Sequence, residues 1–69
     1  MERTPVTSKT IRAVGYDSDS LTLEVEFNAG SVYQYADVSH SEYDGLMNAD
    51  SKGKYLNAYI KQRHPFVKL

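Results

Sequence analysis

The chain has no cysteine and no tryptophan, only two prolines, and no long apolar run. Without cysteine there can be no disulfide staple and no thiolate metal cluster. No stretch approaches the roughly 18 consecutive apolar residues that mark a membrane-spanning helix. Met1-Glu2-Arg3-Thr4-Pro5 is polar and lacks the apolar stretch of a signal peptide. The expected compartment is therefore the cytoplasm, with no membrane partner. Sixty-nine residues bound the chain to a single domain. A chain this short buries roughly 60% of its unfolded surface, which allows one modest core.

What the chain does have is charge segregated along its length. Residues 1–50 carry three basic and nine acidic side chains, a balance of −6. Residues 51–69 carry Lys52, Lys54, Lys61, Arg63 and Lys68 and no acid, a balance of +5. Such asymmetry can mark an anion-binding face. It equally describes a solvated helix whose cations suit the C-terminal end of the macrodipole.

The element pattern changes period once. Residues 1–8 read as loosely tied. Ser8 to Tyr16 reads as a strand, and Asp17-Ser18-Asp19-Ser20 as a turn. Leu21 to Phe27 alternates cleanly, with Leu21, Leu23, Val25 and Phe27 on one face and Thr22, Glu24 and Glu26 on a wet outer face. Asn28-Ala29-Gly30 supplies a hairpin loop, and Ser31 to Tyr35 returns. Ser39 and Glu42 then form a capping box, with Val38 and Tyr43 placed for a hydrophobic staple. Gly45 inside that helix costs about 1 kcal/mol against Ala, a hint of close packing. Asn48-Ala49-Asp50 breaks the helix, and Ser51 caps a second one. Its apolar stripe is Tyr55, Leu56, Tyr59 and Ile60, and Pro65 ends it. Phe66-Val67-Lys68-Leu69 is apolar enough to dock. The expected fold class is α+β: a three-stranded antiparallel β-meander followed by two helices packed on one face.

On these residues the chain resembles the KTSC domain family. The resemblance runs over about residues 8 to 63 through Ser8, Ile11, Gly15-Tyr16, Leu21, Val25 and Phe27, then Gly30, Tyr33-Gln34-Tyr35 and Val38. It continues through Tyr43, Leu46, Ala49, Ser51-Lys52-Gly53-Lys54-Tyr55, Asn57 and Ile60. Family members often carry proline where this chain has Ser39, and both residues can open a helix. The family takes its name from a domain at the C-terminus of some lysyl-tRNA synthetases and also occurs as small bacterial proteins. The resemblance implies one KTSC-like domain over residues 1–69, with no enzymatic activity and RNA as a partner by association. Fold transfers along such a resemblance far better than function.

Three groups of residues bear on function. Tyr33 and Tyr35 lie two apart on one strand and so share a face. They either form a platform on which bases stack or supply aromatic area to a core poor in large aliphatic residues; the need for core area favours the second. Ser51-Lys52-Gly53-Lys54 opens a helix with free N–H groups, a permissive glycine and two lysines. It reads as an anion site or as a plain serine cap. Lys54 and Lys61 share a helix flank, and Arg63 extends the charge, a thin phosphate track that implies weak, salt-dependent binding.

Metal and catalytic readings fail on spacing. His40 and His64 form no ligand-spaced pair. Asp17 and Asp19 match the opening of a calcium loop, but its glycine and glutamate positions hold Thr22 and Asn28. A Ser-His-Asp set drawn from His40 with Asp37 or Asp44 is coincidence among many serines. No catalytic residue, metal or cofactor is expected. The expected partner is RNA, as tRNA or a single strand; the alternative is a protein bound at an exposed sheet edge or apolar patch.

Overall fold

A computed structural model describes residues 1–69. Five strands form one antiparallel sheet in sequential order: β1 (Thr4–Pro5), β2 (Ile11–Asp17), β3 (Thr22–Phe27), β4 (Val32–Tyr35) and β5 (Phe66–Lys68). Helix α1 (His40–Asn48) and helix α2 (Lys52–Tyr55) lie in the connection from β4 to β5, and α2 continues as a π-helical turn over Leu56–Ile60. The α+β class and the two helices stand as expected. The expectation of three strands is corrected to five.

Both additional strands are edges. Thr4 and Pro5 pair with Val14 and Ala13, and Val6 N–H donates to the Arg12 carbonyl at 3.0 Å. Residues 1–8 are thus tied down rather than loose. Phe66–Lys68 docks by pairing with Tyr35, Gln34 and Tyr33, and the pairing extends through Ala36 N–H to Pro65 O and Leu69 N–H to Val32 O.

The inner face of the sheet carries Ile11 and Val14 from β2, Leu23 and Val25 from β3, and Tyr35 from β4. These meet Val38, Leu46, Leu56 and Ile60 to form the buried core. The alternation of β3 therefore works as read, except at Leu21. That residue sits in the β2–β3 turn at φ 55°, is 40% exposed, and uses its carbonyl to accept from Val38 N–H. A second correction concerns the outer face, which is not uniformly wet. Glu24 is only 6% exposed. The segment before β1 crosses over it, made possible by Gly15: a Cβ there would lie 2.7 Å from the Glu2 carbonyl oxygen. Arg3 Nε then lies 3.4 Å from Glu24 Oε2, and Gln34 Nε2 donates to Glu24 Oε1 at 2.8 Å.

The capping box of α1 forms as the sequence predicts. Ser39 Oγ accepts from Glu42 N–H at 3.2 Å, and Glu42 Oε1 accepts from Ser39 N–H at 3.0 Å. Glu42 Oε2 also meets His64 Nε2 at 2.6 Å, which pins the chain after the π turn to the start of α1. Burial opposes ionisation of Glu42. The Ser39 N–H, His64 and the Ser39 hydroxyl outweigh it and hold the carboxyl below its ordinary value of 4.5. The π turn alters the second helical stripe. Lys61 N–H bonds to Leu56 O, five residues back, at 2.7 Å. Leu56 and Ile60 point into the core while Tyr59 is 48% exposed, so Tyr59 is not a core residue.

Candidate functional site

Hydrogen bonds fix the segment that leads into β2. Ser8 Oγ accepts from the N–H groups of Thr10 and Ile11, both at 3.2 Å, and Asn28 Nδ2 donates to Ser8 O at 3.1 Å. The opposite wall begins at Ser51, whose Oγ accepts from Lys54 N–H at 3.4 Å and caps α2. Between these walls lies an open cleft of about 730 Å³, bounded by residues 7–10 on one side and by residues 50–54 and Asn57 on the other. Lys9, Lys52 and Lys54 line it against one acid, Asp50. The remaining lining is hydroxyl, amide and backbone, with no hydrophobic side chain.

Gly53 lines this cleft beside Thr10. A Cβ there would stand 3.2 Å from Thr10 Oγ1 and 3.3 Å from Thr10 Cβ. The small residue lets the strand segment approach α2, so its first role is packing. Lys52 Nζ donates to the Ala49 carbonyl at 3.2 Å, which holds this amine at the turn between the helices.

A second cavity of about 550 Å³ adjoins the first and shares Lys9 and Thr10 with it. It lies under the β3–β4 hairpin, with Phe27, Tyr33 and Tyr35 in its walls and Lys61 at its margin. Tyr35 is 2% exposed and belongs to the core, so its ring offers no open face for stacking. Burial, and then neighbouring Tyr33, raise its hydroxyl above the ordinary value of 10.0. Tyr33 is half-buried; it meets Phe27 edge to face at 5.6 Å and packs on Phe66 at 5.6 Å. The Tyr-x-Tyr pair thus divides into one core ring and one ring partly open to a cavity.

The cations divide just as sharply. Arg3 and Arg12 are paired with Glu24 and Glu26 on the outer face of the sheet. No lysine forms a salt bridge. Ser51, Lys52, Gly53 and Lys54 come together in the cleft, and Lys61 comes to the second cavity. The expected flank shared by Lys54 and Lys61 is not kept, because the π turn shifts the helical phase between them. Arg63 lies over the Tyr59 ring at 5.8 Å and lines neither cavity. Lys9 and Thr10 were not singled out by the sequence, and Phe27 was read as a strand residue and not as a site residue; the hydroxyl-lysine-hydroxyl run Ser8-Lys9-Thr10 was the available signal.

Other polar clusters are less suited to anions. A third cavity, of about 620 Å³, lies by the β2–β3 turn with Glu2 and Asp17 in its lining and no lysine. His40 Nδ1 and Asp44 Oδ2 lie 3.0 Å apart one helical turn apart, both well exposed, as an ordinary surface pair. No group of three or more His, Asp and Glu side chains is arranged to hold a metal ion. No helix is long and apolar enough to cross a membrane.

The architecture defines a small α+β module with two helices over one face of a sequential antiparallel sheet. Residues 7–64 match the KTSC domain family model, and the chain belongs to that family. Its structure is similar to the crystal structure of a KTSC domain protein from Yersinia pestis, with a TM-score of 0.92 and 36% identity over 99% of this chain and 96% of that one. An uncharacterised protein of Stutzerimonas stutzeri is 38% identical over 64 residues, covering 93% of this chain and 90% of that protein. A lysine–tRNA ligase of Nostoc punctiforme is 41% identical over 59 residues, which cover 86% of this chain but 10% of the ligase. The chain therefore corresponds to about a tenth of that enzyme's length.

Proposed function

We propose that this KTSC domain is a cytoplasmic, non-enzymatic RNA-binding module, folded as one unit over residues 1–69 with its core at about 8–63. Lys52 and Lys54, flanked by Ser51 and Gly53 and joined by Lys9, hold backbone phosphates. Lys61 and Tyr33 extend the contact into the adjoining cavity. Arg63 and Tyr35 contribute less, one lying over Tyr59 and the other inside the core. The observation that carries this reading is the convergence of lysines that form no salt bridge on two adjoining cavities, one rich in hydroxyls and one with three aromatic rings in its walls. That combination suits an unpaired strand, whose phosphates and base faces lie side by side. Kinship with a segment of a tRNA ligase favours tRNA among the RNAs to be tried. With so few phosphate contacts, binding is weak and falls steeply with salt.

Titration of the protein with labelled tRNA and single-stranded oligonucleotides at low salt tests the proposal. Saturable binding supports it. Absence of binding where the electrostatic attraction is strongest refutes it.

A second reading draws on β5. This edge strand is exposed along its whole length, and Phe66 and Val67 are 53% and 62% exposed. Such an edge can accept a strand from a protein partner or from a second copy. Light scattering together with a lysate pull-down tests it: a strictly monomeric chain that captures no protein rejects it.

A further inference from the structure

The cavity beneath the β3–β4 hairpin differs chemically from the cleft beside it. Its walls include the rings of Phe27, Tyr33 and Tyr35, and the only charged groups in its lining are Lys9 and Lys61. Phe27 and Tyr33 stand nearly perpendicular, at 88°, and neither is fully buried. They form an apolar corner that a flat ring can enter. Polar groups sit around that corner at Thr10, Asn28 and Ser31. Asn28 uses its side-chain N–H₂ toward Ser8 O, and its backbone carbonyl accepts from Arg12. Its side-chain oxygen remains as an acceptor for a ring edge. The volume of about 550 Å³ falls within the roughly 300–1,000 Å³ usual for small-ligand pockets.

A flat ring with apolar faces, polar edges and an attached anion is a nucleobase beside its phosphate. We infer that this cavity seats one unpaired nucleobase, against the corner made by Phe27 and Tyr33, of a strand whose adjacent phosphate lies on Lys9 and whose next phosphates run into the Lys52–Lys54 cleft. The inference rests on the RNA-binding reading and names the feature of RNA that the site selects. Lys9 and Thr10 line both cavities, so base and phosphate are neighbours in one strand. A base within a duplex is stacked and paired and cannot enter without being extruded. The module therefore selects single strands, loops and ends over helices.

The test compares a labelled oligouridylate with an abasic strand of the same length and charge, and with a duplex RNA. Stacking of a base on an aromatic side chain makes the base-bearing strand bind about tenfold more tightly than the abasic one. Phe27→Ala removes that advantage and leaves abasic-strand affinity unchanged. Ala29→Leu, placed on the exposed hairpin loop, narrows the cavity mouth without adding a stacking ring and lowers that advantage even if Phe27→Ala proves unstable. Equal affinity of the wild type for base-bearing and abasic strands overturns the base pocket while leaving phosphate binding intact. Binding of neither strand at low salt overturns both readings together.

Discussion

Gly45 offers a sharp test of how the two helices pack. It lies within α1, next to the Tyr55 side chain of α2. A Cβ at this position would stand 2.7 Å from Tyr55 Cζ and would collide with the Tyr55 hydroxyl oxygen. On a free helix face, Gly→Ala stabilises by about 1 kcal/mol through backbone entropy. Here the added methyl overpacks the contact, and forced side-chain shifts of that kind cost about 1–3 kcal/mol. The Tyr55 ring is not free to swing away. It packs against the core and lies on Tyr59, with ring centroids 4.8 Å apart. The two effects oppose each other, so Gly45→Ala leaves stability between unchanged and lower by about 2 kcal/mol. In a Tyr55→Leu background the obstacle is gone, and the same substitution becomes stabilising by about 1 kcal/mol. Urea unfolding of the four proteins, followed by far-UV circular dichroism, gives the double-mutant cycle. If Gly45→Ala stabilises the wild type by the full helix-propensity increment, with no coupling to Tyr55, the argument from the tyrosine contact is wrong.

Two further perturbations probe the frame around the site. Leu46 is fully buried between α1 and the sheet. Leu46→Ala should cost about 2–5 kcal/mol, a large share of the stability of so small a domain, and chemical denaturation with a near-wild-type midpoint would contradict the core assignment. Glu42→Gln keeps the capping box geometry but removes the charge held beside His64. Because the folded-state carboxyl lies below its ordinary value of 4.5, its contribution is fully present above that value and is lost as pH falls through the folded value. Stability of the wild type should therefore decline across this acidic window more steeply than that of Glu42→Gln, as read from denaturation midpoints at several pH values. Parallel pH profiles would show that the Ser39–Glu42–His64 cluster does not tune the carboxylate.

Local patterns were readable in the sequence because their causes are local. The alternation of Leu23, Val25 and Phe27 gave the central strand, and Ser39 with Glu42 gave the start of α1. The edge strands had no such signal. Thr4–Pro5 is two residues long and Phe66–Lys68 is three, and both owe their conformation to the neighbour that pairs with them. Leu21 continues the hydrophobic alternation, yet the turn places it in the left-handed region, and tertiary contact through Val38 overrides the pattern. Glu24 looked solvent-facing by parity. Only the fold reveals that residues before β1 cross over it, through the space Gly15 leaves. The site divides in the same way. Ser51-Lys52-Gly53-Lys54 is contiguous and was legible as an anion cradle or a plain serine cap. Lys9 joins it from the other end of the chain, which no local pattern announces. The π turn then separates Lys61 from Lys54, because it breaks the 3.6-residue period from which their shared flank was read.

The central claim is that the lysine-lined cleft holds RNA phosphates. The most direct measurement is the salt dependence of affinity for a single-stranded RNA, for the wild type and for Lys52→Glu/Lys54→Glu. In the wild type, log affinity should fall linearly with log salt, with a slope of about 0.7 for each phosphate engaged. The double variant should bind more weakly at every salt concentration and with a shallower slope. Unchanged affinity and slope in the variant would contradict the account.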